Sequence, residues 1–187
     1  MLDIDIARYI KYNKYMNNSD YPRSVTCCFT GHRTDKLPWG LYESDDRCIA
    51  LKKSLMGSIS EKYDLGYRRF ICGMAIGCDL YFAEAIIALR AERPDIFLEA
   101  AVPCPNQTEL WPESQRLRYD ELIDQCDAVT LVSKCYTPTC MLERNRYMAD
   151  SSSAIIACYD GSPGGTMQTL LYARRIGLDA TVIELKN

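Results

Sequence analysis

Residues 154–175 read Ala154-Ile155-Ile156-Ala157-Cys158, then Tyr159-Asp160-Gly161-Ser162-Pro163-Gly164-Gly165-Thr166, then Met167-Gln168-Thr169-Leu170-Leu171-Tyr172-Ala173-Arg174-Arg175. A short apolar run bounded by turn residues is the pattern of a strand buried on both faces. The last nine residues carry an amphipathic helical pattern. Gly161, Gly164 and Gly165 lie between the two, and Thr166 follows them. Three glycines ahead of a helix cost chain entropy, so they mark a turn whose backbone passes close to something. The N–H groups of a first helical turn have no partner within the helix and point at negative charge. The segment predicts a strand, a glycine-rich turn and a helix start that holds a phosphate.

The same unit recurs on the N-terminal side. Further strands are expected over residues 25–29, 69–72, 97–102, 128–132 and 180–185. Helices are expected over 44–63 with Ser44 as N-cap, 79–93 stopped by Pro94, 113–126, 141–150, and 165–176 closed by Gly177. Strands alternating with helices predict an α/β fold: an open, mainly parallel sheet of about six strands with helices on both faces. Ligands of such sheets bind outside the carboxyl ends of the strands, where the strand order reverses. The turns that follow the strands are therefore the places to look.

The first strand runs into Thr30-Gly31-His32-Arg33. Gly31 permits a tight turn, the Arg33 fork can pair with a phosphate, and His32 can hydrogen-bond a ligand oxygen or donate a proton. The plain alternative is that both side chains line the sheet edge. The second strand runs into Gly73-Met74-Ala75-Ile76-Gly77-Cys78-Asp79. There Gly73 and Gly77 can bring backbone to a ligand, and Asp79 or Glu84 can reach a ribose hydroxyl. Asp79 is equally a natural N-cap. Arg144 and Asn145 stand near the start of a helix at the same sheet end, where a solvated helix face is the alternative. Trp111, Arg118 and Tyr119 follow the third strand and can stack on a base or simply pack.

The 187 residues suit one domain over 24–187 behind a Tyr- and Asn-rich N-terminal extension over 1–23. Hydrophobic residues make up 48% and charged residues 25%, which excludes a disordered chain. A net charge of −3 exerts no general pull on nucleic acid or an anionic membrane. The acidic start and the lack of a long apolar run predict a cytoplasmic protein with no membrane partner. Ten cysteines form no CxxC pair, and the single histidine, His32, cannot build a regular Cys/His zinc cluster, so no metal site is expected. The cysteines read as core thiols, with Cys135 and Cys140 the one pair open to oxidation. No cofactor is fixed beyond a nucleotide-type ligand. A homo-oligomer is expected, with the extension as its mediator.

On these turns the chain resembles the SLOG superfamily, the Rossmann-like group that joins the DNA-processing protein DprA with the Lonely-guy enzymes, and within it the YpsA-like branch. The resemblance covers residues 24–185. It rests on Thr30-Gly31-His32-Arg33, on Gly73, Gly77 and Asp79 with Ala83-Glu84, on Arg144-Asn145 with Met148, and on Gly164-Gly165-Thr166. It implies a Rossmann-like fold and a nucleotide or nucleotide-derived ligand at these loops. The Lonely-guy enzymes split the N-glycosidic bond of nucleoside monophosphates with an Arg-Lys pair and a PGGxGTxxE loop whose glutamate is catalytic. Here Arg144 stands for the arginine, Asn145 replaces the lysine, and Thr169 stands at the glutamate position. A glycosidic bond is cleaved with the help of a positioned carboxylate, so that departure matters.

The expectation that follows is binding of a ribose-phosphate ligand, NAD- or ADP-ribose-related, by a sensor or regulatory module through Gly31, His32, Arg33, Gly73, Gly77, Asp79, Arg144, Asn145, Gly161, Gly164, Gly165 and Thr166. The alternative is a phosphoribohydrolase that uses Asp79, Glu84 or Asp160 with Arg144. A third reading is a DprA-like binder of single-stranded DNA, for which Arg68-Arg69, Arg174-Arg175 and thirteen tyrosines speak and against which the acidic balance speaks.

Overall fold

The computed structural model describes residues 21–185, so the expected extension falls almost wholly outside the described residues. Six strands form one sheet: β1 (Thr26–Gly31), β2 (Arg69–Cys72), β3 (Phe97–Val102), β4 (Ala128–Leu131), β5 (Ala154–Tyr159) and β6 (Asp179–Glu184). Every neighbouring pair is parallel and the order is β4-β3-β2-β1-β5-β6. Five helices connect them: α1 (Asp46–Asp64), α2 (Cys78–Leu89), α3 (Glu113–Asp124), α4 (Cys140–Asp150) and α5 (Gly165–Arg175). This is the α/β, Rossmann-like architecture that the alternation predicts.

Strand side chains alternate between two cores, as a period of two requires. Cys27, Phe29, Phe70, Leu98, Ala100 and Ile156 join Leu51, Leu55 and Ile59 of α1, Leu80, Phe82 and Ile86 of α2, and Tyr119 and Ile123 of α3. Cys28, Ile71, Ala101, Ile155 and Ala157 face the other way, onto Met148 and Ala149 of α4 and Leu170 and Ala173 of α5. Helices thus cover both faces. The second face also holds a buried carboxylate, Glu99. It pairs with Arg69 of β2 (2.9 Å from Nε) and accepts hydrogen bonds from Thr130 Oγ1 (2.7 Å) and the Tyr147 hydroxyl (2.6 Å). A buried charge persists only when paired and hydrogen-bonded in this way.

Several helix ends differ from the expected positions. The N-cap of α1 is Asp45, whose Oδ1 accepts the Arg47 N–H at 2.8 Å, while Ser44 lies one residue too early. Helix α2 ends at Leu89 rather than at Arg93. Beyond it the bonds tighten, with Glu92 N–H reaching Leu89 O at 3.1 Å. Asp79 does not cap α2. Gly77 holds the cap position at φ +101°, and Asp79 lies inside the first turn. No helix among the described residues is long and apolar enough to cross a membrane.

Candidate functional site

The chain starts its sheet in the middle at β1, builds outward through β2 and β3 to the β4 edge, then returns to lay β5 on the other side of β1. The strand order reverses between β1 and β5, and the connections leaving these two strands diverge there. A cleft of about 300 Å³ opens at that point. One wall is the β1 exit, from Thr30 to Arg33, with Asp35 and Lys36. The other consists of Met141, Arg144, Asn145 and Met148 of α4. Its floor carries Ala75 and Asp79, and one end meets Gly165 and Thr166 at the start of α5.

His32 is 2% exposed and both ring nitrogens are engaged. Nε2 lies 2.6 Å from Asp160 Oδ1, and Nδ1 lies 3.3 Å from Thr166 Oγ1. An ionised carboxylate only accepts hydrogen bonds, so the Nε2 proton points at Asp160. The same Oδ1 accepts the Ser162 N–H at 2.8 Å. Burial pushes the Asp160 carboxyl upward, but the hydrogen bonds from His32 and Ser162 outweigh it and hold the group well below the usual carboxylate range. Asp160 is thereby the anchor behind His32, and the β5 exit is stitched to the β1 exit.

Helix α5 starts behind Gly164 with no side chain capping its first turn. Lys36 ties the preceding loop down: its Nζ donates to Pro163 O at 2.6 Å. Thr169 donates to Gly165 O at 2.8 Å and accepts from Asn145 Nδ2 at 2.8 Å, which locks α4 against α5. The position at which the Lonely-guy pattern has a carboxylate is therefore filled by a satisfied structural hydroxyl.

Arg144 is buried at 5% exposure and lines the cleft. It donates through Nη1 to Gly73 O and stands 3.9 Å from Asp79 Oδ2. Its Nε is buried, and among the described residues it has no hydrogen-bond partner. Burial lowers the affinity of Arg144 for its proton, and nearby Asp79 opposes that effect. An arginine guanidinium keeps its proton in a protein all the same. Burial raises the Asp79 carboxyl, against the pull of Arg144 and of the Ala75 N–H, which donates to Oδ2 at 3.2 Å.

The cleft brings together Gly31, His32, Arg33, Asp79, Arg144, Asn145, Gly165 and Thr166, with Asp160 behind His32. Gly73, Gly77, Gly161 and Gly164 are not among its lining residues, and two of them have other reasons to be glycine. A Cβ on Gly73 would overlap the Arg144 guanidinium, and a Cβ on Gly77 would stand 2.8 Å from His32 O. At both positions the missing side chain lets parts of the protein approach one another. Glu84 points elsewhere: both its oxygens accept from Arg118, at 2.6 and 2.7 Å, and Arg118 also pairs with Glu43. Trp111 packs edge-on against Tyr119 at 5.7 Å, and none of Trp111, Arg118 and Tyr119 lines the cleft.

Lys36 was legible only as one more cation three residues past Arg33, and Met141 only as an apolar residue near a helix start. Cys140 is buried while Cys135 is exposed, so these two do not form an accessible pair. Of the basic pairs, Arg68 is taken up by Asp95 at 2.8 Å and Arg69 by Glu99. Among the described residues no group of three or more His, Cys, Asp or Glu side chains could hold a metal ion.

A Rossmann-like sheet with a polar cleft at its switch point defines the class of protein. Residues 27–175 match the model of the YspA SLOG family, and the chain belongs to that family. The SPbeta prophage-derived protein YoqJ of Bacillus subtilis (strain 168) is 31% identical over 140 residues, covering 68% of this chain and 82% of its own. A UPF0398 protein of Bacillus thuringiensis (strain Al Hakam) is 26% identical over 149 residues, covering 78% and 80%. Among solved structures, DNA processing protein A (DprA) of Streptococcus pneumoniae superposes with a TM-score of 0.57 at 14% identity. That match covers 95% of this chain and 66% of DprA, and at that identity it is a likeness of fold.

Proposed function

We propose that the cleft binds a nucleotide-derived ligand by its phosphate and ribose, and that the protein acts as a sensor or regulatory module. The observation that carries this reading is Arg144: a buried cation that lines the cleft with an unpartnered Nε. An unsatisfied buried donor of this kind is costly unless something fills it. The uncapped start of α5 opens into the same cleft, and Arg33 and Lys36 add charge of the same sign. Phe29, Met141 and Met148 give the cleft an apolar side suited to a ribose or base.

Holding fits this arrangement better than cutting. Thr169 supplies no carboxylate, Asp160 is committed to His32 and Ser162, and Glu84 is committed to Arg118. Asp79, beside Arg144, and Asp35, on the β1 exit loop, are the carboxyls that line the cleft.

The test is a thermal-shift and calorimetric panel of AMP, NAD, ADP-ribose and ribose 5-phosphate. A ligand at a hundredfold its dissociation constant adds about 2.7 kcal/mol, or about 5–10 °C in Tm for a domain of this size. Arg144→Met abolishes the shift, and no free base accumulates. Absence of a shift with every compound refutes the reading. Base release that Asp79→Asn abolishes would favour the hydrolase instead.

A further inference from the structure

Asp160, His32 and Thr166 make a continuous hydrogen-bonded line that ends in the cleft. The carboxylate fixes the Nε2 proton of His32 toward itself, so the state of Nδ1 alone decides what Thr166 does. With His32 neutral, Nδ1 is a bare acceptor and the Thr166 hydroxyl donates to it across 3.3 Å. The hydroxyl then shows the cleft only lone pairs, which repel an anion. With His32 protonated, Nδ1–H donates to Thr166 Oγ1, and the hydroxyl hydrogen is released toward the cleft that Thr166 lines. The same side chain is thus an acceptor facing the anion site in one state and a donor in the other.

We propose that this relay binds a terminal phosphate together with one proton, a reading that rests on the phosphate cleft described above. The proton comes from solvent and rests on His32 Nδ1, no covalent bond changes, and the Thr166 hydroxyl turns to donate to a phosphate oxygen. Asp160 compensates the imidazolium charge at 2.6 Å, which allows a ring of 2% exposure to become charged. The Tyr159 ring lies edge-on to the imidazole at 5.7 Å, and the other ionisable groups that line the same cleft are Arg33, Asp35 and Lys36 on its own loop, Asp79 of α2 and Arg144 of α4. A bound phosphate dianion places negative charge in the same cleft as the imidazolium and attracts it. Proton uptake and phosphate binding therefore favour each other.

The experiment is calorimetry of AMP and ribose 5-phosphate binding between pH 7.5 and 9, in buffers of different ionisation enthalpy. The second phosphate pKa is about 6, so the ligand itself takes up no proton in this window. The expected results are net proton uptake on binding and an affinity that falls as pH rises, by up to about tenfold per unit. Adenosine, which lacks the phosphate, shows neither. Thr166→Ser keeps the linkage. Thr166→Val and His32→Gln lose it and bind with an affinity independent of pH, and their melting curves establish that they are folded. Wild-type binding with no proton uptake overturns the relay and leaves the phosphate cleft standing. Uptake that survives in Thr166→Val but not in His32→Gln also overturns it, because His32 would then meet the phosphate directly. Failure of both phosphorylated compounds to bind at any pH overturns relay and cleft together.

Discussion

Replacing Gly73 by alanine tests how the cleft is built. Gly73 does not have a left-handed φ, so an alanine backbone is permitted there. The cost falls on what the new methyl meets. It would overlap Nη1 and Cζ of Arg144 and stand 2.9 Å from Asp79 Oδ2. Arg144 must withdraw, losing its hydrogen bond to Gly73 O and its place beside Asp79. A charge-assisted hydrogen bond contributes about 1.5–3 kcal/mol, and separating a buried ion pair costs about 3–5 kcal/mol. The alanine returns about 0.4–1 kcal/mol by stiffening the unfolded chain. The net expectation is a loss of about 3.5–7.5 kcal/mol, or about 7–30 °C in Tm.

The assay is urea unfolding of the wild type, Gly73→Ala, Arg144→Met and the double variant. If the guanidinium is what the methyl displaces, Gly73→Ala costs under about 1 kcal/mol once Arg144 is methionine, so the two changes couple by more than about 1 kcal/mol. Additivity to within about 0.5 kcal/mol would refute the reasoning. It would mean that the backbone around residue 73 absorbs the methyl, and that Gly73 is not there to admit Arg144.

Three further outcomes follow from the charges. Hydrogen bonds depress the Asp160 carboxyl, so its contribution is present above the ordinary carboxylate pKa and is lost as pH falls through the lowered folded value. Asp160→Asn therefore costs about 1–2 kcal/mol at pH 7 in urea melts, and the gap to wild type narrows below about pH 4; a gap constant down to pH 3 contradicts this. Burial raises the Asp79 carboxyl, so its contribution is full below the unfolded carboxylate pKa and is lost as pH rises through the folded value. Asp79→Asn cannot ionise and gains on wild type between about pH 4 and 7, and a pH-independent difference rejects the assignment. Glu84→Gln costs about 1–2 kcal/mol of stability through the part-buried Arg118 pair and leaves the affinity for AMP or ribose 5-phosphate unchanged; a loss of affinity would return Glu84 to the site.

The strand–helix alternation and the location of the cleft were legible because both follow from local pattern and chain topology. Apolar runs such as Ala154–Cys158 can only be central strands, and a sheet begun in its middle must reverse beside its first strand. What the strand-ending glycines do was not legible. A turn glycine announces a close approach without naming the partner, and the partners of Gly73 and Gly77 are Arg144 and the His32 backbone, which come from distant parts of the chain. The partner of Glu84 was not legible for the same reason. Its partner Arg118 lies 34 residues away, on a helix whose packing the sequence pattern does not specify.

That reassignment alters what the phosphate reading rests on. Four of the six glycines expected to bind the ligand are not lining residues of the cleft, so glycine content cannot be the argument for an anion there. The argument passes instead to groups that the fold buries with bonding capacity unused or shared: the Arg144 Nε, the first turn of α5, and a Thr166 hydroxyl whose direction depends on His32. Gly73 still belongs to this account, one step removed. By admitting the guanidinium it puts a cation where a ligand can use it, so an alanine there is expected to abolish AMP binding although residue 73 lines no part of the cleft. The affinity of a folded Gly73→Ala variant, measured at a temperature well below its melting point, separates this indirect role from simple loss of the native state. Unchanged affinity would show that Arg144 reaches the ligand by another route, or does not reach it at all.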